Sequence, residues 1–180
     1  MTTQRPRKPR PPLDEAALRE LALTYVGRFA TSRAKLASYL TRKIRERGWA
    51  LETTPPIEAV VERIAELGYV DDSAFALSKA RSLTQRGYGA RRIGQALRHA
   101  GISDDDGEEA RDHAEAMAAE AALKFARKRS IGPFAASDAD RAQQEKWLAA
   151  MIRAGHDLTL ARRIILWPRD IEPDPKRLLS

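Results

Sequence analysis

Gly68-Tyr69-Val70-Asp71-Asp72-Ser73-Ala74-Phe75-Ala76 lies between two segments of helical periodicity and reads as a helix-to-helix turn. Gly68 is expected to take the left-handed conformation that closes the preceding helix, where a Cβ would be penalised. Asp71 or Asp72 is expected to cap the next helix by accepting its free N–H groups. Tyr69 and Phe75 flank the turn, placed to pack across it. Arg86-Gly87-Tyr88-Gly89 repeats the Gly-aromatic turn, and Ala154-Gly155-His156-Asp157 gives a third version.

Outward from these turns the chain reads as helices in groups of three. A first helix begins near Asp14, with Leu18, Leu21, Ala22, Tyr25, Val26 and Phe29 at helical spacing. A second begins at Thr31 or Ser32, carries Leu36, Leu40 and Ile44 on one side, and stops at Gly48, after which Trp49 folds back on the core. A third opens at Thr54-Pro55-Pro56, a cap followed by prolines, and buries Ile57, Val60, Val61, Ile64 and Leu67. The order then restarts: a helix over 72–85, one over 89–100 with Ile93, Ala96 and Leu97 inward, and a long alanine-rich helix from Ser103 to about Arg129. In a third round, Ser137 with Asp140 reads as a cap, Trp147, Leu148, Met151 and Ile152 mark a helix, and Asp157 caps the next, with Leu158, Ala161, Ile164 and Ile165 inward.

No segment alternates apolar and polar residues as a strand does. The expected fold is all-α: tandem three-helix, helix-turn-helix-like repeats in an elongated, curved array, because units this small complete their cores with neighbours. The expected division is a disordered basic tail over 1–12, repeats over 13–68 and 69–133, a third repeat over 134–168 whose third helix is not secured, and a loose end or at most a helix fragment over 169–180.

Composition narrows the function. Net charge is +7, with Arg5, Arg7, Lys8 and Arg10 clustered among prolines at the start. A basic chain favours polyanions or acidic protein surfaces. There is no cysteine, hence no disulfide or thiolate metal site. No apolar run reaches bilayer length and no signal-peptide core follows the basic start, so a cytoplasmic protein is expected.

No residue set supports catalysis. Nucleotide-binding glycine motifs are missing, and His99, His113 and His156 have no metal-ligand spacing. Glu109 and His113 read as a helix-face pair. Asp104-Asp105-Asp106-Gly107 lacks the alternate ligands and late Glu of a calcium loop. Asp71-Asp72 reads as a cap rather than as paired catalytic carboxylates or a metal site. No enzyme activity, cofactor or metal is expected.

The positive signal is the second helix of each group. Arg33, Lys35 and Arg42 lie on the first such helix, Arg91, Arg92 and Arg98 on the next, and Arg162 and Arg163 on the third, opposite an apolar side in each case. These eight residues are the candidates for DNA or partner binding. Phosphate contacts need only reach and charge, so the pattern points to backbone attraction rather than sequence reading. A solvated charged face is the plainer alternative for any single arginine.

The central stretch, Gly68-Tyr69-Val70-Asp71-Asp72 with Phe75-Ala76, Arg86-Gly87-Tyr88-Gly89, then Ile93, Leu97 and Gly101-Ile102, resembles the RecX family of recombinase regulators. Arg28, Ser32, Leu36 and Leu40 resemble that family's first repeat, and the likeness covers roughly residues 14–167. The structural motif comprises Gly68, Tyr69, Asp71, Asp72, Phe75, Gly87, Tyr88 and Gly89. The resemblance implies a non-enzymatic monomer that binds the RecA recombinase filament and sequence-nonspecific single- or double-stranded DNA. It implies that the protein modulates, by inhibition, homologous recombination, DNA repair and the SOS response. Lys35 stands where many relatives carry an acid, and His156 where an aromatic is usual. A helix-turn-helix transcriptional regulator is the alternative, though it would keep one recognition helix and dimerise.

Overall fold

The computed structural model describes residues 11–179, so most of the expected basic tail lies outside the described residues. The described chain is all-helical apart from turns and one isolated bridge between Leu13 and Trp49. It divides into two units, residues 1–72 and 73–180, called unit 1 and unit 2 below.

Unit 1 packs α1 (Glu15–Val26), α2 (Arg33–Arg47) and α3 (Ile57–Glu66) around one aliphatic core. Leu18, Ala22, Leu36, Leu40, Val60, Val61 and Ile64 supply it, and Leu13 and Val70 close it from the flanking segments. Asp14 starts α1 by accepting from the Ala17 N–H at 2.8 Å, and Ser32 starts α2 by accepting from Lys35 at 3.3 Å. Trp49 packs against this core as expected. Thr54 is not the cap of α3; that position falls to Pro56, which makes no side-chain cap bond.

Asp72 has a partner far from its own turn. Its Oδ1 accepts the N–H of Arg33 at 2.9 Å, so the carboxylate serves the start of α2, thirty-nine positions away in sequence. The first-turn N–H groups of a helix have no intrahelical acceptor, and a buried carboxylate fills that role.

Unit 2 contains two cores. Helices α4 (Asp72–Gln85), α5 (Ala90–His99) and α6 (Glu108–Ala116) surround Ala76, Ala80, Leu83, Ile93, Leu97, Ala110 and Ala114. Helices α7 (Ala118–Lys128), α8 (Arg141–Arg153), α9 (Leu158–Ile165) and α10 (Pro175–Leu179) surround Ala122, Ala126, Met151, Ala161, Ile164 and Leu178.

The single helix expected to reach Arg129 is broken at Met117, whose ψ of 8° departs from the helical value. Neither Gly nor Pro marks the break. It falls where the chain leaves one core for the other, with Ala110 and Ala114 on one side and Ala119 and Ala122 on the other. The hydrophobic grouping therefore changes near Met117, not at the Pro133 turn. Asp140, without Ser137, caps α8 through the Gln143 N–H at 2.7 Å. Beyond α9 the chain forms the short helix α10, and Leu178 is buried in the second core rather than loose.

Candidate nucleic-acid and partner interface

The Gly turns position the candidate surface. Gly68, Gly87, Gly101 and Gly155 all have positive φ, between 68° and 93°, which is the region that favours glycine. The turns in unit 2 do more than end helices. The Gly89 N–H donates to the Ala154 carbonyl at 3.0 Å, and the Arg91 N–H donates to the Gly155 carbonyl at 3.1 Å. Two motifs recognised separately in sequence thus dock backbone to backbone, and the N-terminus of α5 is seated on the α8–α9 turn.

His156 completes this joint. It is buried, and its Nε2 lies 3.1 Å from the Gly87 carbonyl, so Nε2 carries the proton and donates. Its ring is tilted against Phe125 at 5.4 Å. Burial pushes its pKa down to about 4, against a smaller opposing effect of the Gly87 hydrogen bond. His156 therefore fills an interior slot and ties the two turns together. The neighbouring Asp157 accepts from the Thr159 and Leu160 N–H groups, and these bonds, led by Leu160, hold its carboxyl below the ordinary range despite some burial.

The eight predicted cations do not share one setting. Arg33 sits at the start of α2, with Nε 3.9 Å from Glu62. Lys35, two residues on, is half-buried. Arg42 lies 5.7 Å from the Tyr39 ring centroid and 3.7 Å from Glu46. In unit 2, Arg91, Arg92 and Arg98 are exposed on α5 opposite buried Ile93 and Leu97. Arg92 reaches over Tyr88 at 5.7 Å, and Arg86 covers the same ring at 5.3 Å. Arg162 is exposed. Arg163 donates to the Leu178 carbonyl at 2.8 Å, so it anchors α10 as well as carrying charge.

Among the motif residues, Asp71 and Phe75 remain at the turn, while Tyr69 is 57% exposed instead of packing across it. Sequence reading missed Arg129 and Arg153. Each immediately precedes a turn, at Ser130-Ile131 and Ala154-Gly155, and that placement beside a glycine-type turn was the available signal. The Asp106 carboxylate receives Ser103 Oγ at 2.7 Å and Ser73 Oγ at 3.1 Å, which orders the turn before α6; α6 itself begins at Glu108, later than the expected Ser103, and its N-cap Gly107 makes no side-chain bond. Among the described residues no helix is long and apolar enough to cross a membrane.

Comparison with known proteins bears on the same elements. The family model described as "RecX, second three-helix domain" matches residues 71–110, which span α4, α5 and the start of α6. A regulatory protein RecX from Myxococcus xanthus is 33% identical over 173 residues, covering 90% of this chain and 89% of that one. A regulatory protein RecX from Halorhodospira halophila is 35% identical over 88 residues, covering 49% of this chain and 50% of the relative. A crystal structure of a regulatory protein RecX superposes with a TM-score of 0.59 at 21% identity, covering 84% of this chain and 70% of that chain.

Proposed function

The chain belongs to the RecX family of regulatory proteins, and from that premise we propose that it binds the RecA recombinase filament on DNA and restrains its activity. The observation that carries the reading is the recurrence of a helix with an apolar inner side and a cationic outer side: Arg33 and Arg42 on α2, Arg91, Arg92 and Arg98 on α5, Arg162 on α9. Such helices suit a polyanionic or acidic filament wall at many points rather than one small ligand. The role is regulatory and cytoplasmic, without catalysis or cofactor, and DNA is held without regard to sequence.

The transcription-factor alternative is weakened by the docked turns. A helix-turn-helix reader presents the N-terminal residues of its recognition helix to base edges. In unit 2 that end of α5 is occupied by the Ala154 and Gly155 carbonyls.

The test is RecA ATPase and strand exchange on single-stranded DNA with this protein titrated in. Both activities are expected to fall with increasing protein. Reversal of Arg91 and Arg92 to Glu should weaken the effect while leaving the helical content unchanged, since exposed substitutions usually cost within about 0.5 kcal/mol. No change in either RecA activity at saturating protein would overturn the proposal.

A further inference from the structure

Unit 2 contains a groove of ≈ 440 Å³ whose walls carry three arginines, Arg92, Arg129 and Arg153, and three rings, Tyr88, Phe125 and Trp147. No carboxylate lines it. Elsewhere the chain pairs its surface arginines with acids along the same helix, as in Arg19–Glu15, Arg42–Glu46, Arg63–Glu66 and Arg141–Glu145. The groove arginines differ. They come from α5, from the end of α7 and from the end of α8, and among the described residues none is in an ion pair. Three cations converging from separate elements without a neutralising acid concentrate positive potential in a concave site.

The rings supply the second half of the recognition. Arg92 and Arg129 lie 5.7 Å and 5.9 Å from the centroids of Tyr88 and Phe125. Tyr88 and Trp147 are half-buried, each with part of its surface left to solvent. Alternating guanidinium groups and ring faces match a strand that offers phosphates and unstacked bases in turn. A duplex hides its bases, and an acidic protein surface offers no bases at all. The backbone bonds from Gly89 to Ala154 and from Arg91 to Gly155 fix one wall against the other, so the groove is preformed.

We propose that this groove of unit 2 binds single-stranded nucleic acid, with Arg92, Arg129 and Arg153 on the phosphates and Trp147 stacked on a base. The site deepens the proposed function and rests on it for its setting, but it is tested without the recombinase.

The probe is a fluorescein-labelled oligothymidylate titrated with the full chain at several salt concentrations. The double reversal Arg129→Glu with Arg153→Glu should weaken binding at least tenfold and reduce the log–log salt slope by about 1.4, at about 0.7 per lost phosphate contact. A charge-matched control at exposed arginines outside the groove, Arg28→Glu with Arg81→Glu, should weaken it less than threefold. Oligonucleotide should quench tryptophan emission in the wild type, and Trp147→Phe should remove that quenching while preserving the fold. This second readout keeps the test decisive should the double reversal unfold.

Equal losses in the two reversals would mean net charge alone and overturn the site. So would quenching that survives Trp147→Phe, or polyglutamate competing as well as oligothymidylate. A chain that binds oligothymidylate in this way yet leaves RecA activity untouched would refute the proposed function and leave the groove standing.

Discussion

Unit 1 and the first half of unit 2 share a helix order and a turn signature, yet they are held together differently. Unit 1 fills its core with Leu18, Leu36, Leu40, Val60, Val61 and Ile64. The corresponding core of unit 2 uses Ala76, Ala80, Ala100, Ala110 and Ala114, with Leu83, Ile93, Leu97 and Ile102 as its larger members. Alanine brings helices close but removes little apolar area from water, and hydrophobic stabilisation follows that area at roughly 25 cal/mol per Å². The docked Gly89 and Gly155 turns offset the smaller gain by joining the alanine core to its neighbour. A glycine turn can therefore be a simple stop or a joint, and the difference lies in what approaches it.

The largest effect should come from filling that joint. A Cβ on Gly89 would overlap the Gly155 carbonyl, while one on Gly68 meets nothing within 4 Å. Gly89→Ala is expected to cost about 4 kcal/mol, the upper range for single substitutions, because the obstacle is backbone. Gly68→Ala should cost only the left-handed strain, about 1–2 kcal/mol. Urea unfolding of the two variants checks the contrast, and similar midpoints would erase it.

This pair also marks how far the sequence carried. The first five helices, the glycine stops, the Asp14, Ser32 and Asp157 caps and most buried positions follow from local rules, because spacing and side-chain type act within a few residues. The Gly89–Gly155 joint, the Asp72–Arg33 bond and the Arg129–Arg153 groove join positions far apart in sequence, where periodicity has no information. The break at Met117 was equally hidden, since helix propensity is high on both sides of it. For the candidate cations, sequence indicated which side of each helix is exposed but not which arginines have other partners.

Acid should distinguish the joint from unit 1 next. His156 has a folded pKa of about 4 against an ordinary value of 6.5. Between these values the unfolded chain takes up a proton that the folded chain does not, so stability falls as pH drops from 6.5 toward 4. The loss is on the order of 3 kcal/mol. Asp157 adds a loss at lower pH, where its carboxyl protonates more readily in the unfolded chain. His156→Gln keeps a donor for the Gly87 carbonyl and should flatten the thermal midpoint between pH 6.5 and 4. A wild-type-like pH slope in that variant would place the acid sensitivity elsewhere.

A smaller effect belongs to unit 1. Asp72→Ala removes the acceptor for the Arg33 N–H and should cost about 1 kcal/mol, within the range of helix-start substitutions. Amide exchange at Arg33 should accelerate, while the proposed effect on RecA should fall only with stability. Unchanged exchange there would separate the carboxylate from α2.

The smallest effects concern the segments that close each core. Leu13 covers the core of unit 1 and Leu178 covers the second core of unit 2, both almost wholly buried. Each is accompanied by an arginine bonded to a backbone carbonyl: Arg47 donates twice to Pro11, at 3.0 and 2.8 Å, and Arg163 donates once to Leu178, at 2.8 Å. The backbone support is unequal. Leu13 also exchanges two hydrogen bonds with the chain at Gly48 and Ala50, each 2.9 Å. Leu178 has a long bond of 3.3 Å from its own N–H to Asp174, within the same short segment. A hydrogen bond contributes about 1 kcal/mol net, so either arginine-to-alanine substitution has a small global effect. Local opening should separate them. Arg163→Ala should speed amide exchange at Arg177 and Leu178 about fivefold, the factor for about 1 kcal/mol of lost local protection. Arg47→Ala should leave the Leu13 and Ala50 amides protected, because their mutual backbone bonds remain. If Arg47→Ala opened its segment as far as Arg163→Ala opens α10, the side chain and not the backbone bridge would be what holds Leu13 on its core.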